Sequence, residues 1–147
     1  MTTTYDSAYT SITTEFQSYW NAGAGAIVGG SAPVIRFAGI ELPSIPKTYF
    51  CRFLMQPVAD RQSSFRQTDG KRFRASGIVY IQVFAPKSDP QAYERLRGLS
   101  AFAQRRFRSA IDCISFVNVR INDAPPEQSF IRQNVIAEYA YDEIQTG

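Results

Sequence analysis

The chain has 147 residues and a mass of 16.5 kDa, a size at which folding removes roughly 70% of the extended surface from water, so a single domain over 1–147 with its own core is expected. Hydrophobic residues make up 44% and aromatic ones 14%, too apolar for a disordered chain and too dispersed for a membrane span. The net charge is +3 and there is no histidine, which removes Ser-His and Cys-His nucleophile pairs and imidazole metal sites from consideration.

No Lys or Arg precedes Arg36, so the front lacks the basic segment of an export signal. Tyr5, Tyr9, Ile12, Phe16 and Trp20 recur at spacings of 4, 3, 4 and 4, the stripe of an amphipathic helix. Thr2, Thr3 and Thr4 supply capping hydroxyls, and Asn21 and Gly23 are expected to stop the helix. Its other face is rich in Ser and Thr, so the helix depends on packing against a sheet. Asn21 to Pro33 reads as a flexible glycine-rich connection. It has no Gly-Lys-Ser/Thr, and Val28 stands where a dinucleotide fingerprint wants glycine.

From Val34 the period becomes two. Val34 to Phe37 reads as a short strand, and Ile40 to Lys47 is punctuated by Pro43 and Pro46. Thr48 to Met55 sets Tyr49, Cys51, Phe53 and Met55 against Phe50, Arg52 and Leu54, apolar on both faces, with Pro57 closing it. Arg61 to Arg74 is polar around Asp69-Gly70, a strong hairpin signal. With Arg61, Arg66, Lys71, Arg72 and Arg74 it carries a local excess of four positive charges. Two readings stay open: a solvated hairpin whose cations keep edge strands apart, or a protruding arm that meets a neighbouring subunit or a polyanion.

Ala75 to Ala85 is the most β-like segment and is expected at the centre of the sheet, with Val79, Ile81 and Val83 on one face and Ile78, Tyr80, Gln82 and Phe84 on the other. Asp89-Pro90 reads as the cap and first turn of a second helix running to Ser109. Its core stripe is Tyr93, Leu96, Leu99, Ala103, Phe107 and Ala110. Across from it lie Arg97, Arg105 and Arg108, cations that the negative end of the helix dipole also explains without a ligand. Two strands follow, Cys113 to Ile121 and, after a Pro125-Pro126 loop, Phe130 to Tyr141 with Val135, Ala137, Tyr139 and Tyr141 on one face. The order implies an α+β fold, a mostly antiparallel sheet with an N-terminal helix and a second helix against it and a charged β-hairpin arm.

Cys51 and Cys113, with 61 residues between them, lack zinc-finger spacing and read as reduced thiols. Paired carboxylates such as Asp112 with Asp123 or Glu138 are formally open to acid and base roles, but nothing in their spacing singles them out. The reading is of a protein that is not an enzyme, with no catalytic residues, cofactor or metal. Phe65-Arg66 and Arg72-Phe73-Arg74 place aromatics beside bases, which keeps a small nucleic-acid-binding module as the alternative.

Three stretches carry a resemblance: VIRFAGIELP with TYFCRFLMQP, then FRASGIVYIQVFAPKSDPQAYERLRGLSAFAQRRFR, then SFVNVRIN with NVIAEYAYDE. Together they resemble the tail terminator, or tail-completion, proteins of long-tailed bacteriophages, typified by that of phage lambda, over most of the chain. The resemblance implies a virion structural protein, assembled in the host cytoplasm and placed at the head-tail junction. It would form a homo-oligomeric ring, typically of six subunits, that caps the tail tube protein, stops tail polymerisation and presents its other face to a head-completion protein. No membrane partner is implied, and non-specific contact with DNA passing through the ring is. Arg61, Arg66, Lys71, Arg72, Arg74, Arg97, Arg105 and Arg108 are the candidate interface residues.

Overall fold

The computed structural model describes residues 3–37, 48–62 and 71–145, with side chains other than those of 59–62, 71, 72, 144 and 145. In chain order the elements are α1 (Tyr5–Val28), β1 (Val34–Phe37), β2 (Phe50–Gln62), β3 (Lys71–Pro86), α2 (Ala92–Arg106), β4 (Ser115–Glu127) and β5 (Phe130–Gln145). The strands form one five-stranded sheet in the order β1-β2-β3-β5-β4. β1 runs parallel to β2 and every other pairing is antiparallel. The fold is therefore α+β, with β3 central as its composition implied.

Alternation settles which side of the sheet meets the helices. Cys51 and Phe53 of β2, Val79, Ile81 and Val83 of β3, and Val135, Ala137, Tyr139 and Tyr141 of β5 are all buried in one cluster. Ile12, Phe16 and Trp20 of α1 and Leu96, Leu99 and Ala103 of α2 complete it. Phe16 is the hub: its ring lies 5.6 Å from Trp20, 5.5 Å from Phe53 and 5.9 Å from Phe107. The other side of the sheet carries no described helix.

α1 is capped at its start as expected, with the Thr4 hydroxyl accepting from the Ser7 N–H at 3.1 Å. It does not end at Asn21 and Gly23. It continues through the glycine- and alanine-rich stretch to Val28, and Gly29 stops it in the left-handed region at φ 73°. Tertiary packing overrides glycine's poor helix propensity there. Tyr19 stacks on Phe102 of α2 at 4.2 Å and donates its hydroxyl to the Phe102 carbonyl at 2.8 Å. A β-carbon at Gly23 would strike the Phe102 ring, and one at Gly98 would stand 2.9 Å from Ile27. The small residues let two helices cross closely. Trp20 then ties down the segment that follows, donating its indole N–H to the Pro33 carbonyl at 2.8 Å.

Three prolines expected to end strands lie inside them. Pro57 sits in β2, where the strand has no neighbour on its outer side among the described residues, since β1 pairs with Phe50 to Phe53. A proline without an N–H costs no ladder bond at such a place. The register slips there, leaving Val58 as the extra, outward residue. Pro125 and Pro126 lie in the outermost strand, β4, within a second register slip. The reversal into β5 is made instead by Gln128 and Ser129, with Gln128 at φ 52°.

α2 begins two residues later than Asp89-Pro90 implied. Gln91 is its cap residue, and Asp89 belongs to the preceding turn, where its side chain accepts from the Gln91 N–H at 2.9 Å. Leu96, Leu99, Ala103 and Phe107 are buried as expected. Tyr93 is 66% exposed and Ala110 is exposed, so neither belongs to the core. The following strand begins at Ser115, because Ile111 to Ile114 forms a tight turn with Asp112 at φ 52°. The segments 38–47 and 63–70, which include the Ile40 to Lys47 stretch and the Asp69-Gly70 turn, lie outside the described residues.

Candidate interaction surfaces

The arm is built by strand length. β2 and β3 stay paired out to Gln62 and Phe73, and β5 follows β3 to Gln145 opposite Lys71. The Thr3 N–H binds the Asp142 carbonyl at 2.9 Å, which fixes the start of α1 level with Arg74 and Asp142. Beyond that level the three strands run on past the start of the helical layer.

Of the arm cations, Arg61 lies opposite Arg74 in register, Lys71 opposite Gln145 and Arg72 opposite Ile144. Arg66 lies outside the described residues. Arg74 is partly neutralised, 3.5 Å from Asp142. At the base of the arm a recess of about 300 Å³ is lined by Tyr5, Pro57, Val58, Tyr139, Tyr141 and Glu143. Tyr139 is buried there, and its hydroxyl has no hydrogen-bond partner among the described residues. Burial pushes that phenol up to about 12, with Tyr141 and Tyr5 adding to the rise.

The helix cations separate by role. Arg106 is mostly buried and pairs with Glu15 of α1 at 3.3 Å, a brace between the helices. Arg97, Arg105 and Arg108 are exposed and form no ion pair among the described residues. Arg97 borders a second recess, of about 360 Å³, with Tyr93, Asp123, Pro126 and Arg132. The carboxylates considered for acid and base work are dispersed: Asp123 accepts from Gln133 at 2.8 Å, Glu138 pairs with Arg120 at 3.2 Å, and Asp112 is in the exposed turn.

A groove of about 530 Å³ runs between the end of α1 and the start of α2, lined by Pro33, Val34, Thr48, Tyr49, Asp89 and Arg95. Tyr49 donates its hydroxyl to Asp89, which Arg95 also holds at 3.1 Å. The hydrogen bond from Tyr49, then that from the Gln91 N–H, keep the Asp89 carboxyl below its usual range. Burial, then Asp89, raises Tyr49 to about 12. The trio ties the beginning of β2 to the turn before α2.

The sequence reading missed the helix-free face of the sheet. Register aligns Arg36, Arg52, Gln82, Asn134 and Asn122 in one row across all five strands. Beside it, Phe50 and Phe84 stack at 4.4 Å with Phe130 edge-on at 5.2 Å, and Arg52 lies over the Phe84 ring at 5.0 Å. Each row residue came from a different segment, so only the strand order brings them together.

No known protein-family model and no curated protein matches this chain. Fourteen solved chains match in fold. One of them aligns over 95% of this chain and 96% of its own length, with a TM-score of 0.61 and 12% identity. At that identity the likeness is one of fold.

Proposed function

We propose that the protein is a phage tail terminator: a virion component whose copies close into a ring, counted as a hexamer by analogy with the family it resembles, on the end of the tail tube. The observation that carries this reading is the arm. Three strands reach the start of α1 and continue past it, carrying Arg61, Lys71, Arg72 and Arg74 among their residues. Ring closure needs two unlike complementary surfaces on each subunit. The sheet supplies unlike flanks, a four-residue parallel strand on one side and a long irregular antiparallel one on the other. The arm and the exposed Arg97, Arg105 and Arg108 supply charged ones. In this reading one face of the ring stops tube growth and the other receives a head-completion protein.

The test changes Arg66, Lys71, Arg72 and Arg74 together to Ser. Exposed charges contribute little to stability, so the variant should fold, yet fail to form rings in native mass measurement and electron micrographs. Normal rings from the variant would remove the arm from the account. A wild-type protein that stays monomeric at high concentration beside tail tubes would overturn the reading itself.

A further inference from the structure

We propose that the row Arg36, Arg52, Gln82, Asn134 and Asn122 on the helix-free face of the sheet is a track for the phosphate backbone of a nucleic acid. The resemblance implied contact with DNA without placing it; the track puts a nucleic-acid contact on residues outside the arm and helix cations of the ring reading, and rests on the sheet alone.

The first observation is a like-charge pair. Arg36 and Arg52 face each other directly across β1 and β2, an arrangement that costs stability unless something negative lies between or above. Neither has a carboxylate partner among the described residues, whereas Arg120 and Arg132 on the same sheet face are matched by Glu138 and Glu127. Two uncompensated guanidinium groups, side by side and half-buried, leave a place for a bound anion.

The second observation is the direction of the amides. Gln82 turns its carbonyl oxygen to Arg52, with Nη1 to Oε1 at 3.4 Å, so its N–H2 group is the free end. Asn134 has its carbonyl oxygen buried without a partner, which leaves its N–H2 group as the end that reaches the surface. The row therefore offers donors from Arg36 through Asn134. A partner that answers only donors is one made of acceptors, and phosphate oxygens are the densest repeating set of these. Four interstrand steps make the row about 19 Å long, enough to follow several phosphates of one strand. No side chain in the row is placed to read bases by an aromatic platform, since Phe50 and Phe84 are buried; the contact should be indifferent to sequence.

The experiment measures fluorescence anisotropy of a labelled mixed-sequence DNA, single-stranded in one arm and duplex in the other, against salt. Wild-type protein should bind with a micromolar constant at low salt, weakening linearly in log-log form. Arg36→Gln with Arg52→Gln should weaken binding at least about tenfold and reduce the slope by about 2, since each phosphate contact contributes about 0.9 on duplex. Arg36→Lys with Arg52→Lys should keep the slope. Arg36→Gln alone, on the short outer strand, guards against a folding defect and should reduce the slope by about 1. Binding that ignores salt, an unchanged slope in the double Gln variant, or tighter capture of polyglutamate than of either DNA would overturn the proposal. Ring formation scored on the same variants separates the two readings: rings without DNA binding sink this one alone.

Discussion

Tyr139 of β5 lies across Gly77 of β3, its directly opposed partner in register, and its phenol fills the space that a β-carbon at 77 would take. The same space is bounded by the Gln56 carbonyl of β2. Gly77→Ala should therefore destabilise the protein by about 1–3 kcal/mol through overpacking, read as a lowered denaturation midpoint at unchanged slope. Tyr139→Phe is the contrasting change. It removes a buried hydroxyl that has no partner among the described residues, and the midpoint should stay level or rise, because no hydrogen bond is lost.

Neighbouring positions on α1 separate packing from charge. Phe16 is fully buried against three other rings, and Phe16→Ala should cost about 3–5 kcal/mol. Glu15→Ala leaves the mostly buried Arg106 guanidinium short of its carboxylate and should cost about 1–3 kcal/mol. Urea denaturation of the two variants checks the ranking.

The Tyr49, Asp89 and Arg95 trio makes stability depend on pH at both ends. Asp89 titrates lower in the fold than its ordinary 3.8, so its contribution is complete above that value and is lost as pH falls through the folded value. Tyr49 titrates higher, near 12 against 10, so its contribution is present below pH 10 and fades as pH rises toward 12. Asp89→Asn should flatten the acid side of a plot of thermal midpoint against pH and lower the Tyr49 phenol, seen as the ultraviolet phenolate signal that Tyr49→Phe deletes.

The two thiols should react at different rates. Cys51 is fully buried and its thiol is pushed well above the ordinary range by that burial alone, while Cys113 is half-exposed. An aromatic disulfide reagent should label Cys113 in the native protein and reach Cys51 only after denaturation. Fast labelling of both would contradict the packing of β2.

Where one residue faces one environment, its side was legible from the chain. Val79, Ile81 and Val83 alternate cleanly because β3 is central and one of its faces meets the helices. Ile12, Phe16 and Trp20 show the helical period for the same reason. The extension of α1 to Val28 was not legible: Gly23 and Gly25 carry a loop composition, and the close approach of Phe102 to Gly23 and of the Gly30–Ala32 backbone to Gly25 explains them as helix. Pro57, Pro125 and Pro126 are strand breakers only where both sides of a strand are paired, a fact of strand order and not of local sequence. Tyr93 fits the stripe of α2 by period yet is left 66% exposed, at the rim of the recess it shares with Asp123, Pro126 and Arg132. For the candidate surfaces, the composition located the exposed Arg97, Arg105 and Arg108 but could not assemble the Arg36 to Asn122 row, whose members are neighbours only through register.

The irregularity of β4 has a use of its own. Asn118 turned to φ 52° and the paired prolines at 125 and 126 break the strand's outer margin twice. A stray strand finds no straight run there along which to zip. Backbone addition to that edge is disfavoured, so a surface there is read through its side chains.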